Sequence, residues 1–240
     1  MKILVVNDDS IHAPGIAMLA KAAKEFGQVW VVAPAEQCSA MSQKLTLREP
    51  LSLKKVDHFP VEGVAAWQVG GTPVDCVKVA LSYLLEEKPD WVFSGINNGY
   101  NSGFDIAYSG TLGAAFEALR NRIPAIAFSA ASDSHLQAAE PHLIPIIREL
   151  METPAEQDAV WNVNFPAMKS RPLMGILRNR IPAPTSMFME EYIPEEQVDG
   201  TVLLTCRGIP TPDCRIPEGT DADAVRKGYI SIGSVRSAGN

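Results

Sequence analysis

Asn7, Asp8 and Asp9 directly follow the apolar run Ile3-Leu4-Val5-Val6 at the start of the chain. Two adjacent carboxylates at the end of a strand that reads as buried repel one another, by roughly 4 kcal/mol at about 4 Å and an effective dielectric of about 20. A divalent cation turns that repulsion into binding, because hard cations take carboxylate oxygens. A second constellation, Ser109-Gly110-Thr111, immediately precedes a segment from Leu112 to Asn121 with helical patterning. A hydroxyl at a helix start caps it, and a glycine lets a ligand approach backbone N–H groups. The exposed amides and the helix dipole then favour an anion. A cation site beside a phosphate site is the arrangement that metal-assisted phosphoryl chemistry requires. Each feature taken singly also has a plainer reading. Adjacent Asp residues after a strand form turns, Ser109-Gly110-Thr111 serves as a simple N-cap, and Asn97-Asn98-Gly99 makes a turn. His12, close to the Asp pair, reads either as a proton donor or as a solvated loop residue.

The elements that must position these residues follow an α/β rhythm. Residues 2–7 predict a buried strand. Pro14 then opens a helix with Ile16, Leu19, Ala20 and Ala23 on one face and Gly27 as its stop. Val29-Trp30-Val31-Val32 predicts a second strand, ended by Pro34, and the β-α-β unit implies a parallel sheet covered on both faces. Over residues 43–58, Leu45-Thr46-Leu47 and Leu51-Ser52-Leu53 alternate and predict edge strands or a ribbon. Further on come a helix over 73–87, a strand at Trp91-Val92-Phe93, a helix over 111–121, a strand at Ala125-Ile126-Ala127-Phe128, a helix over 136–151 and a strand over 160–165. Trp67, Trp91 and Trp161 read as core, and Glu86-Glu87 and Glu190-Glu191 as solvated faces. From Pro166 onward prolines cluster and strands such as Val202-Leu203-Leu204 are short, so residues 167–240 predict a smaller β-rich extension on an α/β core of residues 1–166. Residues 228–232 read as a strand returning from that extension.

In an open α/β sheet, ligands bind at the carboxyl ends of the strands. Three loops therefore matter. They are Asn7 to Ser10, then Pro34, Glu36, Cys38 and Ser39, and finally Ser94 to Asn101. The donors they offer are carboxylates, a hydroxyl and carboxamides, a set that suits Mg²⁺ or Mn²⁺ better than zinc.

Composition narrows the class. The 240 residues are 46% hydrophobic and 20% charged, which suits a globular protein with a sizeable core. The net charge of -7 argues against a broad nucleic-acid face, so no stable nucleic-acid complex is expected. None of Cys38, Cys76, Cys206 and Cys214 has CxxC spacing, and free thiols are expected. No signal-peptide pattern and no membrane-spanning apolar stretch stands out, so a cytoplasmic location is expected. Neither GxxxxGK[ST] nor GxGxxG after a strand is present, so ATP- and NAD-type use lacks its usual signature.

Longer motifs resemble one family. Val6-Asn7-Asp8-Asp9 with Ile11-His12-Ala13-Pro14-Gly15-Ile16 resembles the opening of the survival protein E (SurE) family. The likeness continues through Val31-Val32-Ala33-Pro34, Ser39 and Leu45-Thr46-Leu47, then Gly71-Thr72-Pro73 with Asp75-Cys76-Val77. It goes on through Ser94-Gly95-Ile96-Asn97, Gly99, Asn101, Gly103 and Tyr108-Ser109-Gly110-Thr111. It ends with Asn162-Val163-Asn164-Phe165-Pro166, Thr220-Asp221 and Gly228-Tyr229. The resemblance implies a metal-dependent phosphomonoesterase acting on nucleoside 5'- and 3'-monophosphates, with a Rossmann-like three-layer core and a C-terminal extension swapped between subunits of a homodimer or homotetramer. It implies that Asp8, Asp9, Ser39 and Asn97 hold one divalent cation, Mg²⁺ or Mn²⁺, and that Asn101, Ser109, Gly110 and Thr111 hold the phosphate. Asp8 and Asp9 are then the catalytic pair. Asp8 is the one to orient or deprotonate a water, with a covalent role for Asp8 left open although the Asp-x-Asp spacing of aspartyl-phosphate enzymes is absent. The chain departs from the family at Ser10, where Gly is usual, at Ala35-Glu36-Gln37-Cys38, which lacks an Arg, and at Gln43. Two other readings stand beside this one: a metal-dependent glycosyl or nucleotidyl transferase, and a non-catalytic nucleotide-binding module.

Overall fold

The computed structural model describes residues 1–132, 136–153, 155–168 and 172–237. Its sheet grows from β1 (Lys2–Val6), in which Ile3 to Val6 are wholly buried. A strand covered by helices on both faces is apolar throughout rather than alternating, and β1 follows that rule. Helix α1 (Pro14–Ala23) places Pro14 in its first turn, where a missing N–H costs nothing. It is pressed so closely on the sheet that a Cβ on Gly15 would lie 2.1 Å from the Ile96 carbonyl oxygen, a spot only glycine allows. Strand β2 (Gln28–Pro34) then returns parallel to β1, completing the expected β-α-β unit.

The next stretch differs from expectation. Only β3 (Leu53–Val56) forms a strand, antiparallel to β4 (Ala65–Val69), which the sequence pattern does not single out. Leu45-Thr46-Leu47 is not a strand. Thr46 gives its N–H and its hydroxyl to the Asp75 carboxylate, at 3.0 and 2.8 Å, so this segment is tied to a helix terminus instead of a ladder. That helix, α2 (Pro73–Val79), is held by a reciprocal capping box between Thr72 and Asp75. The helix expected over 73–87 changes to a π-helical turn at Ala80–Leu84 and stops there.

Strand β5 (Trp91–Asn98) runs well past the expected Trp91-Val92-Phe93. A short 3₁₀-helix, Gly103–Tyr108, leads into α3 (Gly110–Arg120), followed by β6 (Ala125–Ala130). Helix α4 (Leu143–Glu152) begins later than expected, with residues 136–142 in turns. Strand β7 (Ala159–Phe165) closes the first part. Beyond it come β8 (Gly175–Leu177), β9 (Phe188–Glu196), β10 (Val202–Pro210), the short helix α5 (Asp221–Arg226) and β11 (Tyr229–Arg236).

Nine strands form one sheet in the order β3-β4-β2-β1-β5-β6-β7-β11-β8, with the β3–β4 and β7–β11 pairings antiparallel and the other pairings parallel. Ile3 and Val5 face the layer of α1 and α4, whereas Leu4 and Val6 face α2 and α3, which makes three layers around two apolar clusters. Phe93, Phe128 and Phe165 line up across β5, β6 and β7, with ring centroids 6.2 and 6.5 Å apart. Such pairs add about 0.5–1.5 kcal/mol each beyond their area. Trp91 is buried, whereas Trp67 and Trp161 are half-buried at the margins of the clusters.

The region after residue 166 divides in two. Strands β8 and β11 extend the core sheet, while β9 and β10 pair only with each other, in a ribbon that leaves Phe188, Tyr192, Leu203 and Leu204 exposed. Among the described residues no helix is long and apolar enough to cross a membrane. The four cysteines are free.

Candidate active site

The chain leaves β1 for β2 on one side and later places β5 on the other. The strand order therefore reverses beside β1, at the position where open α/β sheets bind ligands. Asp8 and Asp9 sit at that switch point. The Asn7 amide donates to the Ser10 carbonyl at 2.7 Å and closes the turn that carries them. Asp8 is buried, and its Oδ1 accepts the Thr111 hydroxyl at 2.8 Å. Its backbone carbonyl accepts the Cys38 N–H at 2.7 Å, which brings in the loop after β2. Asp9 accepts the Asn98 N–H on Oδ2 at 2.7 Å and the Gln37 amide on Oδ1 at 3.3 Å. Four elements, β1, β2, β5 and α3, thus meet on two carboxylates.

Gly110 leaves no room for a side chain beside Asp8. A Cβ there would lie 3.0 Å from the Asp8 Cβ, 3.1 Å from its Oδ2 and 3.2 Å from Pro73 Cγ. The N-terminal end of α3 therefore abuts the Asp8 carboxylate.

Burial pushes the Asp8 carboxyl up from its ordinary 3.8 to about 6, and the charge of Asp9 adds to this against the Thr111 bond. Burial also raises Asp9, offset by the Asn98 N–H and by Gln37. Among the described residues no group of three or more His, Cys, Asp or Glu side chains gathers as a metal cluster. A cation here would rest on two carboxylates and neutral oxygens. The residues fit such an ion: the carboxylates are desolvated and raised, the donors are all oxygen, and the adjacent Asn7 Oδ1 is buried with no hydrogen-bond partner among the described residues.

The remaining expected residues sit on β5, on the loops after β2 and β5 and at the start of α3. Asn97 belongs to β5 itself rather than to a loop beyond it, because the strand resumes its pairing with β6 after an irregularity between Ser94 and Asn97. Its amide nitrogen donates to the Gly99 carbonyl at 2.9 Å. Ser39 is exposed in the turn next to Cys38, the residue bonded to Asp8. Ser109 caps α3, its Oγ accepting the Leu112 N–H at 3.0 Å. Asn101 is buried and held by side chains of β6 and β7. His12 is exposed, and its backbone N–H donates to Ser10 Oγ at 3.4 Å. The sequence reading does not single out Gln37 or Asn98 as partners of Asp9. Nor does it assign a job to Asn162 and Asn164, although polar residues alternating through an apolar strand are a signal of buried use.

Comparisons with known proteins agree on one family. The profile described as Survival protein SurE matches residues 3–183. The chain belongs to the SurE family. A relative from Shigella dysenteriae, named 5'/3'-nucleotidase SurE, is 39% identical over 98% of this chain and 90% of its own length. One from Geobacter sulfurreducens, named 5'-nucleotidase SurE, is 40% identical over 97% of this chain and 86% of its own. The crystal structure of the SurE protein from Aquifex aeolicus superposes with a TM-score of 0.83 at 33% identity, covering 100% of this chain and 95% of that one. The SurE fold therefore extends through the β9–β10 ribbon, beyond the matched profile.

Proposed function

We propose that this SurE-family chain is a 5'/3'-nucleotidase, a metal-dependent phosphomonoesterase that releases orthophosphate from nucleoside monophosphates. The observation that carries the reading is the contact of a buried Asp8 with the first turn of α3, which sets a cation-binding carboxylate against an anion-binding helix terminus. The names of the relatives support the same activity.

In this reading Asp8, Asp9, Ser39 and Asn97 hold Mg²⁺ or Mn²⁺. When bound, the ion neutralises phosphoryl charge and acidifies a water. Asp8, oriented by the Thr111 hydroxyl, is placed to orient the attacking water or take its proton. The Thr111 hydroxyl is committed to Asp8 and keeps that carboxylate oriented. The phosphoryl oxygens are received by the N-terminal end of α3 at Gly110 and Thr111, the Ser109 hydroxyl and the Asn101 side chain. Asp8→Asn and Asp9→Asn each remove a carboxylate while keeping its shape. Orthophosphate release from a nucleoside 5'-monophosphate should fall at least a hundredfold, by the order of magnitude of electrostatic catalysis, with the circular-dichroism spectrum unchanged. Near wild-type turnover in both variants overturns the proposal.

The quaternary part of the reading rests on the β9–β10 ribbon. A two-stranded ribbon is marginal alone in water, and this one exposes Phe188, Tyr192, Leu203 and Leu204. It serves as the contact of a homodimer or homotetramer, in a cytoplasmic protein. Tyr192→Glu with Leu204→Glu should shift the sedimentation coefficient to that of a monomer, and an unchanged coefficient contradicts this assembly.

A further inference from the structure

The motif Asn162-Val163-Asn164 puts two carboxamides in the middle of a buried strand. Asn164 is 0% and Asn162 3% exposed, and Ser129 on the neighbouring strand is 0% exposed. Burying amides where Val or Ile would serve is costly unless they are paired. Both amide nitrogens and the Asn164 Oδ1 meet one residue, whereas the Asn162 Oδ1 has no hydrogen-bond partner among the described residues. The Asn164 Oδ1 accepts the Asn101 N–H at 2.9 Å, and its Nδ2 donates to the Asn101 carbonyl at 3.0 Å. A single side chain thereby pairs with both backbone groups of Asn101, as a neighbouring strand would. Asn162 Nδ2 donates to the same carbonyl at 2.8 Å, and Asn101 Nδ2 donates to Ser129 Oγ at 2.8 Å.

These residues form a row. In the sheet register Asn97 of β5 is level with Ser129 of β6, and Ser129 is level with Asn164 of β7. The row thus begins at a residue assigned to the cation and ends under a residue assigned to the phosphate. The segment between Asn97 and Asn101 is fixed at its near end as well, where the Asn98 N–H donates to Asp9.

We propose that Asn164 and Ser129 are positioning residues for phosphate binding: they hold the Asn101 backbone and carboxamide at a fixed distance from the Asp8–Asp9 pair. Asn162 supports the same carbonyl. This rests on the reading of Asn101 as a phosphate ligand. Asn164 has no contact with substrate of its own and acts through Asn101. One of the two N–H donors of the Asn101 carboxamide is taken by Ser129, which fixes the plane of the amide and directs the other.

The test is a mutant cycle on the full chain, with Mn²⁺ present. Asn101→Ala, Asn164→Ala, Ser129→Ala and the doubles Asn101→Ala/Asn164→Ala and Asn101→Ala/Ser129→Ala are assayed for kcat and KM on a nucleoside 5'-monophosphate and for inhibition by inorganic phosphate. Asn164→Ala should lower kcat/KM by about tenfold to a hundredfold, the range that misplacement by about 1 Å brings, and weaken inorganic-phosphate inhibition. Ser129→Ala should do the same to a smaller degree. Each double should be no worse than Asn101→Ala alone, to within about twofold, because residues acting through one another are not additive. Losses that multiply in the doubles, or Asn164→Ala and Ser129→Ala at wild-type values while Asn101→Ala is crippled, overturn the positioning role and leave the nucleotidase reading standing. Wild-type turnover in Asn101→Ala overturns both this inference and the assignment of Asn101. If Asn164→Ala does not fold, the Ser129→Ala cycle decides by the same criteria.

Discussion

The Thr111 hydroxyl donates to Asp8 Oδ1 at 2.8 Å, in a buried bond that joins the start of α3 to the end of β1. Thr111→Val keeps the volume and removes the donor. A buried carboxylate oxygen left without that donor costs about 1–3 kcal/mol. The bond also lowers the Asp8 pKa, so its loss moves the carboxyl further above 6. The variant should fold, lose about tenfold or more in kcat and, in the metal-free state, carry its loss of stability on to higher pH than wild type. An unchanged pH dependence of metal-free unfolding argues that the bond does not tune Asp8.

A raised carboxyl makes a definite statement about stability. The metal-free folded chain holds the Asp8 proton up to about 6, whereas the unfolded chain releases it near 3.8. Stability from this group is full below 3.8 and is lost as pH rises through about 6, by an amount of order 3 kcal/mol. Asp9 moves in the same direction. Metal-free Asp8→Asn should therefore match metal-free wild type near pH 4 and exceed it at pH 7.5 by about 2–3 kcal/mol in urea unfolding. Mn²⁺ should raise the wild-type midpoint at pH 7.5 and barely move it at pH 4.5, where Asp8 is protonated. Equal metal-induced shifts at the two pH values contradict the assignment.

Ser10 occupies a left-handed backbone conformation, with φ at 87°. This accounts for the position where the sequence departs from the family's usual Gly. A non-glycine residue there stores about 1–3 kcal/mol of strain, whereas Gly costs about 0.5–1 kcal/mol in chain entropy. Ser10→Gly should raise the melting temperature by a few degrees, at roughly 2–4 °C per kcal/mol for a chain of this size. A lower melting temperature would show that the weak Ser10 Oγ contact to the His12 N–H outweighs the strain.

Much of this architecture is legible in the sequence where one element decides its own environment. The apolar runs of β1, β2 and β6 announce two-face burial, and Pro14 and Ser109 mark where α1 and α3 start. Elements governed by distant partners are not legible. Leu45-Thr46-Leu47 alternates like a strand, yet Asp75 takes both donors of Thr46. The helix after Pro73 follows its period only to Val79 and then widens to a π turn. Ribbon residues such as Glu190, Glu191, Tyr192 and Ile193 mix charge with apolar bulk, and their pattern makes sense only for a strand pair standing off the core.

The site divides the same way. Asp8, Asp9, Gly110 and Thr111 are adjacent in pairs along the chain, and the structure brings the two pairs into contact. Ser39 and Asn97 were readable as candidates only through strand-end logic and family resemblance, and the structure ties their neighbours Cys38 and Asn98 to the Asp pair. The Asn101 seat depends on residues more than sixty positions away, Asn162 and Asn164, a separation that no local pattern reports.

The most direct measurement is orthophosphate release from a panel of nucleoside 5'- and 3'-monophosphates after exhaustive chelation and then stepwise return of Mg²⁺ or Mn²⁺. The account predicts that chelated wild type is inactive, that either cation restores turnover in a saturable way with one ion per chain, and that Asp8→Asn stays inactive at every concentration. Full activity in the chelated protein, or restoration of Asp8→Asn to the wild-type rate, would contradict it.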